Sequence, residues 1–208
     1  MAYINIVRNL KANQLAPLDP AKRPSNDEER VKALHRFDIM DSPSEEIFSA
    51  YTELAALTFH TPIALMSFVD EDTTFYKQAH GVERTGQLVH RKNSPCSIAI
   101  MRDEITQFRY ALTDPCVLAD EKSLAEVGYK FYAGAPLQTV DGFNIGMLAV
   151  VDRVPRKYSL IELEQLKQLA MEVMGELEFR LISNTKSAIP LLNERLKSLH
   201  RRVEALRS

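Results

Sequence analysis

Cys96 and Cys116 are the two thiols of this sequence and the first residues to consider for chemistry. A thiol becomes a nucleophile or redox sensor when nearby cations or a helix N-terminus lower its pKa. Arg91 and Lys92 precede Cys96, and Ser94-Pro95 can open a helical turn, so a ligand-facing or redox-sensing thiol is one reading. A small buried apolar residue is the other, since free cysteine usually behaves so. Cys116 follows Asp114-Pro115 and reads as a loop residue. Two cysteines make no disulfide framework, so both are expected free, in a cytoplasmic protein.

Other reactive types give weaker patterns. Asp70, Asp152 and Arg153 fall at expected strand ends. An aspartate–arginine pair there could fix a ligand carboxylate or phosphate through bidentate bonds. It could equally tie neighbouring loops together, and that structural role is the favoured reading. His35, His60, His80, His90 and His200 lack metal-ligand spacing, so no metal site is expected. His200 has no phosphoacceptor context. There is no phosphate-binding glycine loop and no nucleophile elbow, and no cofactor is expected. The net charge of −2 in 208 residues gives no pull towards nucleic acid or anionic membrane. No apolar run approaches the roughly 20 residues that span a bilayer. The first ten residues lack the core and cleavage site of a secretion signal.

These residues need elements to position them. With 45% apolar and 26% charged residues, the chain can bury a sizeable core. Residues 1–25 read as an arm or linker, because Pro17, Pro20 and Pro24 forbid a regular helix. Asn26 with Glu29 predicts a capping box and a helix to about Ile39. Ser42-Pro43-Ser44-Glu45 predicts a second box, opening a helix whose stripe is Ile47, Tyr51, Leu54, Ala55 and Thr58. Ile63–Val69 and Phe75–Ala79 predict a hairpin around the acidic tip 70–72, and residues 81–93 an irregular loop. Ser94–Met101 reads as a short helix or turn, and Arg109–Leu112 as a weak strand. Phe131–Thr139 and Phe143–Asp152 form the clearest hairpin, turned at Asp141-Gly142. Ser159 with Glu162 opens a helix to about Ile182, and after Pro190 a last helix runs to about Arg207. The expected fold is α+β: a central antiparallel sheet with helices on both faces and a C-terminal helical extension.

Several segments together resemble bacterial GAF domains. They are Asn26 to Leu34 with Ile39 to Pro43, Pro62 to Asp70, Ser94 to Ile100, Phe131 to Leu137, and Gly142 to Pro155. The resemblance covers about residues 26–182. It implies a sheet with terminal helices on one face and a small-molecule pocket under loops and short helices on the other. It also implies sensing or regulation, with the output carried by association or by a partner. A pocket so placed would be lined from Phe75 and Tyr76, from Cys96, Ile98 and Ile100, and from Phe131 and Tyr132. Successive strand residues point opposite ways, so one member of each aromatic pair should face the pocket and the other the helices. Photosensory relatives attach a bilin at cysteine followed by histidine; here Ser97 follows Cys96 and Val117 follows Cys116. The asparagine-lysine-phenylalanine-aspartate-glutamate pattern linked with cyclic-nucleotide binding is absent. The expected function is thus a non-enzymatic sensory or regulatory module that binds a small molecule or a protein partner. Two alternatives stand beside it. One is a free methionine sulfoxide reductase using Cys96 and Cys116, an activity known on this fold. The other is a ligand-free dimer scaffold.

Residues 183–208 predict an amphipathic tail. Leu192, Leu196, Leu199, Val203 and Leu206 recur at spacings of 4, 3, 4 and 3, after Leu163, Leu166, Ala170, Val173 and Leu177 at 3, 4, 3 and 4 in the preceding helix. The pattern is heptad-like. Two heptads alone are too short to be stable in water. A homodimer through the C-terminal helices would cover the stripe; the alternative is a tail folded back on its own domain.

Overall fold

The computed structural model describes residues 23–108, 129–182 and 189–207. Their elements are α1 (Asp27–His35), α2 (Glu46–Thr58), β1 (Ile63–Val69), β2 (Thr73–His80), β3 (Gln87–His90), a 3-10 turn (Arg91–Asn93), α3 (Pro95–Ala99), β4 (Thr106–Phe108), β5 (Phe131–Gln138), β6 (Asn144–Asp152), α4 (Leu160–Ile182) and α5 (Ile189–Arg207). The strands form one six-stranded antiparallel sheet in the order β3-β2-β1-β6-β5-β4. The α+β reading therefore holds, with helices on both faces. The residues read as an irregular loop contain an edge strand, β3. The weak strand expected at 109–112 lies outside the described residues, as do Cys116 and most of the N-terminal arm.

Two of the three expected capping boxes do not form. Asn26 makes no side-chain cap, and α1 ends at His35 rather than near Ile39. Asp38 then takes φ +46°, a left-handed turn that aspartate tolerates. Pro43 is not helical: α2 starts at Glu46, behind an extended Glu45 with no capping bond. The residues before α2 serve a buried lysine instead. Lys77 Nζ reaches Glu45 Oε1 at 2.7 Å and donates to Ser42 Oγ and Pro43 O, each at 2.6 Å. The Ser159–Glu162 box forms as expected, with Ser159 N–H donating to Glu162 Oε2 and Glu162 N–H to Ser159 Oγ.

Two apolar layers sandwich the sheet. Under α2 and α4 lie Phe48, Leu54, Met66, Phe68, Phe75, Phe131, Leu148, Val173 and Leu177. Under α3 lie Ile63, Leu65, Val69, Tyr76, Tyr132, Met147 and Val151. Alternation assigns each strand residue to its layer. One bulge interrupts it: Ser67 pairs with Tyr76 and Met66 with Gln78, leaving Lys77 as an extra residue. Lys77 and Gln78 consequently both turn to the helices, Gln78 accepting from Ser44 Oγ at 2.9 Å.

The tail folds back on its own domain. α5 packs against α2, with Leu199 and Val203 buried and Leu196 partly so. Its basic side chains meet acidic neighbours: Arg195 with Glu176 and Arg202 with Glu172 on α4, and Arg207 with Glu53 on α2. The stripe that suggested a partner helix thus has an intramolecular cover. Pro190 lies in the first turn of α5, where its missing N–H costs nothing.

Candidate functional site

The face under α3 gathers most of the aromatic and thiol residues singled out from the sequence. Ser94 caps α3, its Oγ accepting from the Cys96 N–H at 3.3 Å, and Pro95 occupies the first turn. Ser97 Oγ donates to Arg91 O at 2.6 Å and Ser94 O at 2.7 Å, holding the 3-10 turn against α3. At the other end, Asn144 Nδ2 donates to Ile100 O and Arg102 O, tying the helix to β6. Five bonds thus fix a helix of only five residues over the sheet.

Cys96, Ile98 and Ile100 are buried beneath it, with Tyr76 rising from β2 and Tyr132 from β5. The Tyr76 hydroxyl lies 3.3 Å from Ser94 Oγ, and the Tyr132 hydroxyl donates to Cys96 Sγ at 3.6 Å. Phe75 and Phe131 face the helices instead, where Phe131 meets Tyr158 edge-on at 4.9 Å. The pairs split as alternation requires, so Phe75 and Phe131 leave the candidate lining and the other five remain.

The electrostatics keep Cys96, Tyr76 and Tyr132 uncharged. Burial pushes the Cys96 thiol up; bonds from the Ser67, Tyr132 and Ser94 hydroxyls oppose this and do not overcome it. Burial also raises the Tyr76 and Tyr132 phenols. A protonated thiol at zero exposure is a packing group and a weak hydrogen-bonding group, not an activated nucleophile. Arg91, one of the two cations close to Cys96 in sequence, is committed elsewhere: its guanidinium holds Asp27 at 2.7 and 3.1 Å.

Sequence reasoning missed Ser67, Thr74 and Tyr129. All are buried, and among the described residues none of their hydroxyls makes a hydrogen bond of normal geometry; Ser67 lies by the Cys96 thiol and Tyr129 by the Arg84 guanidinium. Ser67 pairs with Tyr76 and Thr74 with Val69, which puts both hydroxyls on the α3 side. Alternation counted back from Tyr76 would have found Thr74. The Asp–Arg pair takes a different form from the one considered. Asp152 bonds Arg156 and caps the Val154 N–H at 3.1 Å, while Arg156 reaches His60 O at 2.6 Å. It ties loops together, and Asp70 pairs with His35 at 3.0 Å. Among the described residues no three His, Cys, Asp or Glu side chains converge as a metal set would.

Comparison with known proteins agrees with this geometry. Over 133 residues the chain is 30% identical to a cyclic di-GMP phosphodiesterase of Pseudomonas aeruginosa. The match takes in 64% of this chain and 22% of that protein, so the chain spans about a fifth of the relative's length. Among solved structures, the fold is similar to the GAF domain of Thermosynechococcus elongatus PixJ in its blue-light-absorbing form (TM-score 0.54, 14% identity, 86% of this chain and 98% of that one). It is also similar to the GAF domain of an Acinetobacter phosphoenolpyruvate-protein phosphotransferase (TM-score 0.54, 14% identity, 79% and 99%). At these identities the structures speak for the fold alone. The model of the GAF domain family matches residues 43–177, from the residue before Ser44 to the end of the apolar stripe of α4. A six-stranded antiparallel sheet, helices on one side and a short capped helix over the other agree with that match, and the chain belongs to the GAF domain family.

Proposed function

We propose that this chain is a non-enzymatic sensory or regulatory module that takes a small ligand between α3 and the sheet and works as a homodimer. The carrying observation is the α3 face itself. It is apolar and aromatic, as small-molecule sites are, and among the described residues its buried Ser67, Thr74 and Tyr129 hydroxyls make no hydrogen bond of normal geometry. A site for hydrogen-bonding ligands would leave such groups open. The protonated state of Cys96 favours binding over thiol chemistry, because the reductase alternative needs a thiolate. The P. aeruginosa relative is named for cyclic di-GMP hydrolysis; with a fifth of its length represented, we assign this chain a regulatory part and leave hydrolysis to other segments. For the dimer, the support is the exposed apolar side chains on the C-terminal helices: Leu160, Ile161, Met171 and Leu181 on α4, Leu191 and Leu206 on α5.

Native mass spectrometry of the purified chain tests both parts. The reading expects a dimer and a bound small molecule that leaves on denaturation. A chain ending at Ser183 keeps the α4 residues and loses Leu191 and Leu206, so a weakened dimer is expected. A ligand-free protein that takes up nothing from a metabolite extract would point to the scaffold alternative. A monomeric intact chain would refute the dimer.

A further inference from the structure

One end of the α3 face carries positive charge that no carboxylate among the described residues neutralises. Ile63 at the start of β1 pairs with Val151, Leu65 pairs with Ala79, and Phe131 at the start of β5 pairs with Asp152. The ends of β2 and β6 and the starts of β1 and β5 therefore lie at the same end of the sheet. Three side chains collect there: Arg84 from the β2–β3 connection, Tyr129 just before β5, and Arg153 just after β6. The Arg84 guanidinium lies over the Tyr76 ring, 5.5 Å from its centre. Tyr129 is 6% exposed, and among the described residues its hydroxyl makes no hydrogen bond of normal geometry, lying instead by the Arg84 guanidinium. Burial raises this phenol's pKa, while Arg84 and Arg153 both pull it down, so both cations act at the same point.

Arg30, Arg36, Arg91, Arg156 and Arg180 each end on a carboxylate. Among the described residues Arg84, Arg102, Arg153 and Arg201 have no carboxylate partner, and of these Arg84 and Arg153 act on Tyr129. Guanidinium groups hold planar oxyanions through paired N–H bonds, and those bonds strengthen where water is partly excluded.

We infer that this end of the α3 face binds the acidic head of a small ligand, with Arg84 and Arg153 gripping its anionic oxygens and the Tyr129 hydroxyl as a further donor. The ligand's apolar body runs inward along Tyr76 and Tyr132. A carboxylate and a phosphate head share this chemistry. The inference rests on the reading that the α3 face takes a ligand, and it adds the charge and orientation of that ligand.

Two fluorescent probes of similar shape test it on the full chain: 8-anilinonaphthalene-1-sulfonate, which carries an anionic head, and N-phenyl-1-naphthylamine, which does not. Both are expected to bind the wild type. In the R84Q/R153Q variant, sulfonate affinity is expected to fall ~10–100-fold, as loss of charged hydrogen bonds implies, with binding of the neutral probe unchanged. Both substituted side chains reach solvent, so an unchanged far-ultraviolet circular dichroism spectrum should show that the fold is intact. If both probes bind and the variant loses neither, or loses both equally, the anionic head is refuted while the ligand face stands. If neither probe binds the wild type, the ligand face itself is refuted, and this inference with it.

Discussion

Lys77 and Glu45 should respond to mutation in opposite ways. The Lys77 side chain has zero exposure, and its ammonium is held by the Glu45 carboxylate at 2.7 Å, Ser42 Oγ and Pro43 O. Glu45 also pairs with Arg180 on α4, so one carboxylate serves two cations. Removing one partner of a buried pair costs about 3–5 kcal/mol. Here the amine has an escape, because burial pulls Lys77 down to about 8. Shedding its proton at pH 7 costs roughly 1.4 kcal/mol, one pKa unit. Glu45→Gln is therefore expected to lose about 2–3 kcal/mol at pH 7, and less at pH 9.5, where Lys77 is already neutral. Lys77→Met removes the buried charge, leaves Glu45 with Arg180 and keeps the volume, so it should lie within about 1 kcal/mol of wild type at pH 7. The pH slope has a definite sign. The folded pKa lies below the ordinary 10.5, so from about 8 to 10.5 the unfolded chain binds the extra proton. Wild-type stability then rises with pH across that window relative to Lys77→Met, which lacks the titrating group. Urea unfolding of wild type and both variants at pH 7 and pH 9.5, followed by circular dichroism, measures all three quantities. A Glu45→Gln loss below about 0.5 kcal/mol at pH 7, or a Lys77→Met variant with the wild-type pH slope, would refute the reasoning.

Other perturbations have equally definite signs. Gly146→Ala places a Cβ 2.2 Å from Ser67 O across the β1–β6 ladder. It is expected to cost about 1–3 kcal/mol as overpacking, seen as a lower melting temperature. Gly175→Ala on α4 meets nothing within 4 Å and should stabilise by up to about 1 kcal/mol through helix propensity; a destabilised variant would mean that this helix face is covered. In a Cys116→Ser background, Cys96 should react with a disulfide reagent at pH 8 roughly a hundredfold more slowly in the folded chain than in urea, because burial hides the thiol and raises its pKa. Rapid labelling of the folded protein would restore the reactive-thiol reading.

The sequence by itself determined the elements that rest on local chemistry. Asp141-Gly142 specified the β5–β6 turn, where Gly142 takes φ +88°. Alternation divided Phe75 from Tyr76 and Phe131 from Tyr132 between the two layers, because strand side chains point alternately across a sheet. The order of these segments was enough to indicate the family. Tertiary structure decided what local chemistry could not. Ser42-Pro43-Ser44-Glu45 has the composition of a helix start, yet the buried Lys77 ammonium claims its acceptors, since leaving a buried cation unpaired costs more than losing one cap. The bulge that turns Lys77 and Gln78 to the same side depends on the register with β1, a relation between distant segments that alternation within one strand cannot express. Arg91, close to Cys96 in sequence, is drawn away to Asp27, so proximity along the chain did not make a reactive thiol. The apolar stripe of α5 was legible, but its cover was not. A heptad-like pattern states that a helix must bury one face, and only packing decides whether that face meets a second copy or, as with Leu199 and Val203, the domain's own α2.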